Sequence, residues 1–193
     1  MEVIMAKINK SITGAPFPTP VALVTTTDKS GQANIITLAW VGIVCSQPFM
    51  VGVSIRPTRY SHKLLLEVPE VVINIPTEAI LRQADFCGTV SGREIDKFQA
   101  TNLTAESASV VKPPLIVECP VNLEGKVNNK LTLGTHDLFI CEIVASHIDE
   151  TLLNEEGKPD LSRAKPFIYL ATDYLSLDKK IGHYAFTKKK STT

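Results

Sequence analysis

Short runs of apolar and β-branched residues, each broken by turn-forming residues, dominate the chain. Val21 to Thr27 reads as a strand, Asp28-Lys29-Ser30-Gly31 as a turn, and Gln32 to Thr37 as the returning strand of a hairpin. Val41 to Ser46 and Phe49 to Ile55 form two further strands around Gln47-Pro48. In the second, Phe49, Val51, Val53 and Ile55 alternate with Met50, Gly52 and Ser54, the period of a strand with two different faces. A short helix is predicted from about Tyr60 to Glu67, stopped by Pro69, and Val71 to Ile75 is another strand.

Thr77 is placed to cap a second helix, with Glu78 in its first turn. Ile80, Leu81, Ala84 and Cys87 then fall on one face, and Gly88 is expected to end the helix. Val121 to Asn128 alternates again, with Val121, Leu123, Gly125 and Val127 set against Asn122, Glu124, Lys126 and Asn128. A long strand from His136 to about His147, a polar loop over Asn154 to Pro166 and a late strand over Phe167 to Leu170 complete the pattern. Many short strands, few short helices and no regular βαβ alternation predict a mainly β, antiparallel barrel, closed or nearly so.

At 193 residues the chain is expected to form one domain over 1–193. No apolar run approaches the roughly 20 residues of a membrane helix. The start, Met1-Glu2-Val3-Ile4-Met5-Ala6-Lys7, lacks the pattern of a signal peptide, so no membrane partner and a cytoplasmic location are expected. Acidic and basic residues balance at 20 each, which gives no global field for nucleic acid. The basic run Lys188-Lys189-Lys190 reads as a solvated tail. Cys45, Cys87, Cys119 and Cys141 show no C-x-x-C spacing, which argues against a zinc site or a dithiol centre, and no metal is expected. Cys141, inside an apolar strand, reads as a small buried hydrophobe.

The chemistry concentrates between Asn34 and His62. Arg56-Pro57-Thr58-Arg59-Tyr60-Ser61-His62-Lys63 gathers guanidinium, hydroxyl and imidazole groups at the entrance to a helix, an arrangement suited to an oxyanion or to a merely polar, capped loop. Asn34, Thr37, Leu38, Ala39 and Trp40 lead from a strand into a stretch of small residues where a flat ring could approach the backbone. Trp40 could pack on such a ring or belong to the core. Ser91-Gly92-Arg93-Glu94-Ile95-Asp96-Lys97-Phe98 reads as a charged loop, and Arg93 or Lys97 could face a developing negative charge. His136, at a strand start, could be structural or could handle a proton. Together these groups suit a ligand with a planar, polar-edged ring at one end and a phosphate at the other. There is no G-x-G-x-x-G after a strand, no Walker A loop, no H-E-x-x-H and no nucleophile elbow.

The sequence resembles the flavin reductase-like family of FMN-binding split barrels, and most of all its flavoredoxin branch. The resemblance runs from about Pro18 to Leu177. It rests on Pro20 with the following strand, Asn34-x-x-Thr37-x-Ala39-Trp40, Gly42 to Pro48, Gly52-Val53-Ser54-Ile55-Arg56, Val72-x-Asn74-Ile75-Pro76, Ser91-Gly92-Arg93 with Asp96-Lys97-Phe98, and His136-x-Leu138-Phe139 with Glu142. It implies a Greek-key-like split β-barrel with FMN as cofactor. Asn34, Thr37, Leu38, Ala39, Trp40, Cys45 and Ser46 would contact the ring or ribityl chain, and Arg56, Thr58, Tyr60, Ser61 and His62 the phosphate end. Ser91, Arg93 and Lys97 would approach the flavin, His136 would sit near the ring edge, and Tyr169 would add an aromatic contact. The sequence Tyr174-Leu175-Ser176-Leu177-Asp178 departs from the paired tyrosines and Leu-Gly that the family often carries there. The implied function is an oxidoreductase passing electrons from NADH or NADPH through FMN to a small-molecule or protein acceptor, in a homodimer. Two alternatives stand beside it: a flavoredoxin-type carrier reduced by a protein donor, and a non-catalytic binding or assembly barrel.

Overall fold

A computed structural model describes residues 7–188, and most of the basic run at 188–190 lies outside that range. In chain order the strands and helices are β1 (Ala15–Pro20), β2 (Ala22–Thr27), β3 (Ala33–Leu38), β4 (Val41–Ser46), β5 (Phe49–Ile55), α1 (Tyr60–Glu67), β6 (Glu70–Ile75), α2 (Leu81–Thr89), α3 (Lys97–Thr101), β7 (Ala105–Glu106), β8 (Leu115–Ile116), β9 (Val121–Leu133), β10 (His136–Ile148), β11 (Phe167–Ala171) and β12 (Asp173–Ser176). No helix among the described residues is long and apolar enough to cross a membrane.

Seven strands form one antiparallel sheet in the order β3-β2-β6-β9-β10-β5-β4. Its two edges are consecutive in the chain. β3 leaves its partner β2 at Leu38, bends through Ala39 and Trp40, and continues as β4 against β5. At this bend the Ser54 N–H donates to the Trp40 carbonyl at 2.9 Å, which curls the sheet into a split barrel. Alternate residues Ala22, Val24, Ile36, Leu38, Val51, Val53, Ile55, Val71, Ile73, Phe139 and Cys141 fill its interior. The opposite face of β2 and β3 carries Leu23 and Ile35, and these pack with Ile80, Ala84 and Cys87 beneath α2. β2 is thus buried on both faces, which suits its uncharged sequence Ala-Leu-Val-Thr-Thr-Thr.

The strands over 41–46 and 49–55 and the helix over 60–67 lie where the sequence predicts them. Other boundaries differ for physical reasons. Thr77 precedes a single 3-10 turn, Glu78–Ile80, and makes no side-chain cap bond, while α2 runs past Gly88 to Thr89. The loop expected over 91–98 closes into α3 at Lys97, because the Asp96 carboxylate accepts from the Gln99 N–H and caps a helical turn. β1 contains three prolines, yet it pairs with β11 as the edge of a small sheet, where missing N–H donors cost little. The alternation over 121–128 is present, and the first half of its polar face is covered as well. Asn122 and Glu124 are buried under the 107–119 segment, which their side chains hold.

Candidate functional site

The β3–β4 bend, the N-terminal turn of α1, the outward face of α2 and the start of β10 surround one elongated cleft. Its first compartment, about 370 Å³, is lined by Leu38, Ala39, Trp40, Arg56, His136 and Tyr169, with Asp85, Thr89 and Tyr174 on the opposite side. The second, about 280 Å³, is lined by Asn34, Thr58, Tyr60, Ser61, Ser91, Arg93 and Lys97. Ile36, Arg59 and Gly88 line both, so the two compartments adjoin.

Close packing of α2 on β3 makes the floor. A Cβ on Gly88 would stand 3.2 Å from the Thr37 Cβ, and the Thr37 hydroxyl donates to the Ala84 carbonyl. Lys97 ties the same two elements together: its buried Nζ donates to the Ile35 carbonyl at 2.7 Å and to the Cys87 carbonyl at 2.6 Å. Burial, with a smaller push from Arg59, lowers the Lys97 ammonium to about 8. Burial also raises the Cys87 thiol to about 11, so it stays protonated and inert.

At the aromatic end, His136 stacks on Trp40 with centroids 6.3 Å apart and planes 3° apart, and Tyr169 tilts against the same indole at 6.5 Å. The Arg56 Nε–H donates to His136 Nε2 at 3.4 Å, and Thr135 Oγ1 lies 2.9 Å from His136 Nδ1. Burial and the Arg56 charge both depress the His136 pKa, which favours neutral imidazole. The Tyr174 hydroxyl donates to Asp85 at 3.1 Å, and burial with this carboxylate raises its pKa to about 12. At the other end, Asn34 Nδ2 donates to the buried Ser61 hydroxyl at 2.7 Å. Arg93 lies 5.7 Å over the Tyr60 ring and donates to the Thr58 carbonyl. A Cβ on Gly92 would run into the Asn34 side-chain amide, so glycine lets the 91–94 turn close without displacing Asn34.

The fold therefore gathers Asn34, Thr37, Leu38, Ala39, Trp40, Arg56, Thr58, Tyr60, Ser61, Ser91, Arg93, Lys97, His136 and Tyr169 around one cleft. The structure places four of the expected residues elsewhere. His62, grouped with the phosphate end, turns into the core, where Nε2 lies 2.9 Å from Asp137 Oδ2 and the ring meets Phe139 edge-on. Neighbouring helix positions point about 100° apart, so Ser61 facing the cleft sends His62 away from it. Arg56 belongs to the aromatic compartment, separate from the Ser61 and Arg93 end. Cys45 and Ser46 lie at the far end of β4 and line neither compartment. Arg59, Asp85, Gly88, Thr89 and Tyr174 are additional lining residues. Arg59 was visible within the polar cluster, and Asp85 and Thr89 share a helix face by their i, i+4 spacing.

A third cavity, about 350 Å³ and mostly apolar, lies behind the Trp40 wall. Phe17, Val44 and Leu138 line it, and Ala39, Trp40 and Ser54 are common to it and the aromatic compartment. Beside it Phe17, Ile43 and Val44 are exposed.

The family model described as "Flavin reductase like domain" matches residues 13–178. The chain belongs to the flavin reductase-like family. A protein of Archaeoglobus fulgidus is 36% identical over 131 residues, covering 68% of this chain and 73% of that protein. Among solved structures, the flavoredoxin of Desulfovibrio vulgaris (Miyazaki F) is 32% identical with a TM-score of 0.88, covering 95% of this chain and all of that one. Flavoredoxin from Methanosarcina acetivorans is 30% identical with a TM-score of 0.87, covering 95% of this chain and 97% of that one. The mainly β split barrel is the fold this flavin reductase-like chain shares with them.

Proposed function

We propose that the protein binds FMN along this cleft and acts as an oxidoreductase, carrying electrons from NADH or NADPH to an acceptor. The observation that carries the reading is an aromatic compartment directly adjoining a cationic, hydroxyl-lined one in a flavin reductase-like chain. The donor set fits the cofactor. Ser61, Ser91, Arg59, Arg93 and the Lys97 ammonium hold its phosphate, and none of these three cations has a carboxylate within 4.0 Å among the described residues. Trp40 and Tyr169 pack on the ring and exclude water, and the backbone of 37–40 meets its polar edge. When bound, FMN supplies the redox chemistry, and the protein positions it and tunes its potential. His136, at the edge of the aromatic compartment, accepts the Arg56 Nε–H at Nε2 and stays neutral beside that charge.

A titration with FMN and riboflavin tests the orientation. Replacing Ser61 by Ala and Arg93 by Gln together should weaken FMN binding by about 10- to 100-fold, because charge-assisted contacts are lost. Riboflavin, which has no phosphate, should bind both proteins alike. An equal loss for the two flavins would overturn the phosphate assignment.

The apolar cavity behind Trp40 supports a second copy of the chain as the occupant of that face, giving a homodimer whose interface adjoins the cleft. A second reading is an electron carrier reduced by another protein, and the similarity to two flavoredoxins supports it. Fast oxidation of NADH or NADPH favours the enzyme, whereas reduction only by a protein donor favours the carrier.

A further inference from the structure

Arg56 is the one guanidinium in the cleft that a flavin phosphate at the Ser61 and Arg93 end leaves without a role. It lines only the aromatic compartment, whereas Arg59 lines both compartments and Arg93 and Lys97 only the other. None of the five ion pairs among the described residues includes an arginine. Among the described residues the sole side-chain bond of Arg56 runs from Nε to His136 Nε2 at 3.4 Å, and its two terminal amino groups have no partner there. Asp85 is the carboxylate lining the same compartment, and it accepts the Tyr174 hydroxyl at 3.1 Å without approaching an arginine within 4.0 Å. His136 is itself held flat against Trp40. The guanidinium is therefore oriented by an imidazole at the rim of an aromatic slot, with its forked donors unspent.

We propose that Arg56, positioned by His136, forms an oxyanion subsite at the aromatic end of the cleft, and that it takes the carboxylate or phosphate of a planar small molecule exchanging electrons with the flavin. The inference rests on the flavin reading above. Paired N–H donors of one guanidinium match two oxygens of either anion, and a neutral planar molecule would leave them unpaired. The depressed pKa of His136 agrees with this arrangement, because a neutral ring can accept the Arg56 Nε–H and keep the guanidinium turned.

Calorimetric titration of the FMN-loaded protein with benzoate, phenyl phosphate and benzamide tests the subsite. These probes share a planar ring and differ in charge. At least one anion should bind about tenfold tighter than benzamide, and whichever does names the class of oxyanion. Arg56→Gln should abolish that difference while FMN affinity stays within about twofold. Equal binding of anionic and neutral probes would overturn the inference. So would an Arg56→Gln variant that loses FMN affinity about tenfold, since Arg56 would then serve the flavin itself. Failure of the wild-type protein to bind FMN is a separate outcome, and it would remove the flavin reading beneath the subsite.

Discussion

Lys97 is held by two carbonyls and almost out of water, and with a pKa near 8 it loses its charge just above neutral pH. Its folded-state pKa lies below the unfolded value of 10.5, so this group stabilises the fold progressively as pH rises through 8 toward 10.5. Phosphate binding needs the opposite, protonated form. FMN affinity should therefore weaken between pH 7 and pH 9 without loss of fold, and Lys97→Met should show a weaker, pH-independent affinity. An unchanged pH dependence in the variant would remove Lys97 from the phosphate site. Gly92 gives a second residue-scale expectation. Gly92→Ala should push Asn34 off the Ser61 hydroxyl and destabilise the closed turn by about 1–3 kcal/mol, read as weaker FMN binding and a lower melting temperature. At this scale the sequence revealed which residue types gather but not where each one points. Ser61 and His62 are adjacent in one polar cluster, and a helix sends one to the cleft and the other to Asp137. Arg56 and Arg93 look equivalent as cations, and only the barrel closure assigns them to opposite ends.

Among the elements, β9 shows how a polar strand face becomes structural. Burial alone would push the Glu124 carboxyl up, but Ser109 Oγ–H, the N–H groups of Ser109 and Val110, and His147 hold it at about 2. The Asn74 side-chain Oδ1 accepts from the Ile116 N–H and from Asn122 Nδ2 in the same layer. Together these bonds fasten the 107–119 segment, whose Ile116 and Cys119 pack with Ala84 and Cys87 behind α2. The cleft floor is thus supported from outside the barrel. Because the folded pKa of Glu124 lies below its unfolded value of 4.5, its contribution is full above about pH 4.5 and lost as pH falls through about 2. Glu124→Gln should cost about 2–3 kcal/mol at neutral pH, lower Tm by roughly 4–12 °C and flatten acid unfolding between pH 4.5 and 2. A melting curve unchanged at pH 7 would show that the segment is held by other contacts. Alternation made β5 legible and Pro69 marked the end of α1, because those signals are local. β1 was hidden by its prolines, and the cover over β9 was hidden because it comes from a loop with no periodicity of its own.

For the whole molecule, the decisive feature is the two-residue bend that carries β3 into β4. It closes the barrel and brings Ala39 and Trp40 to the meeting point of the cleft and the apolar cavity. A dimer formed on that apolar face should give a light-scattering mass near twice that of one chain, and Ile43→Lys with Val44→Lys should shift it to the monomer. A wild-type monomer at micromolar concentration would contradict the proposed interface. The barrel class was readable from strand count and turn spacing, and the resemblance carried by the Asn34–Trp40 and Ser91–Phe98 segments pointed to the family that the matched domain establishes. The adjacency of the two compartments was not readable, since it depends on α2 lying within contact of β3 at Gly88 and Thr37. The central claim is that this cleft presents a bound flavin to a nicotinamide donor. Anaerobic titration of the FMN-loaded protein with NADH and NADPH, followed by the flavin's visible absorbance, tests it most directly. Prompt, stoichiometric bleaching by one of the two is the predicted result; a yellow colour that persists with both would contradict it and leave a protein as the electron donor.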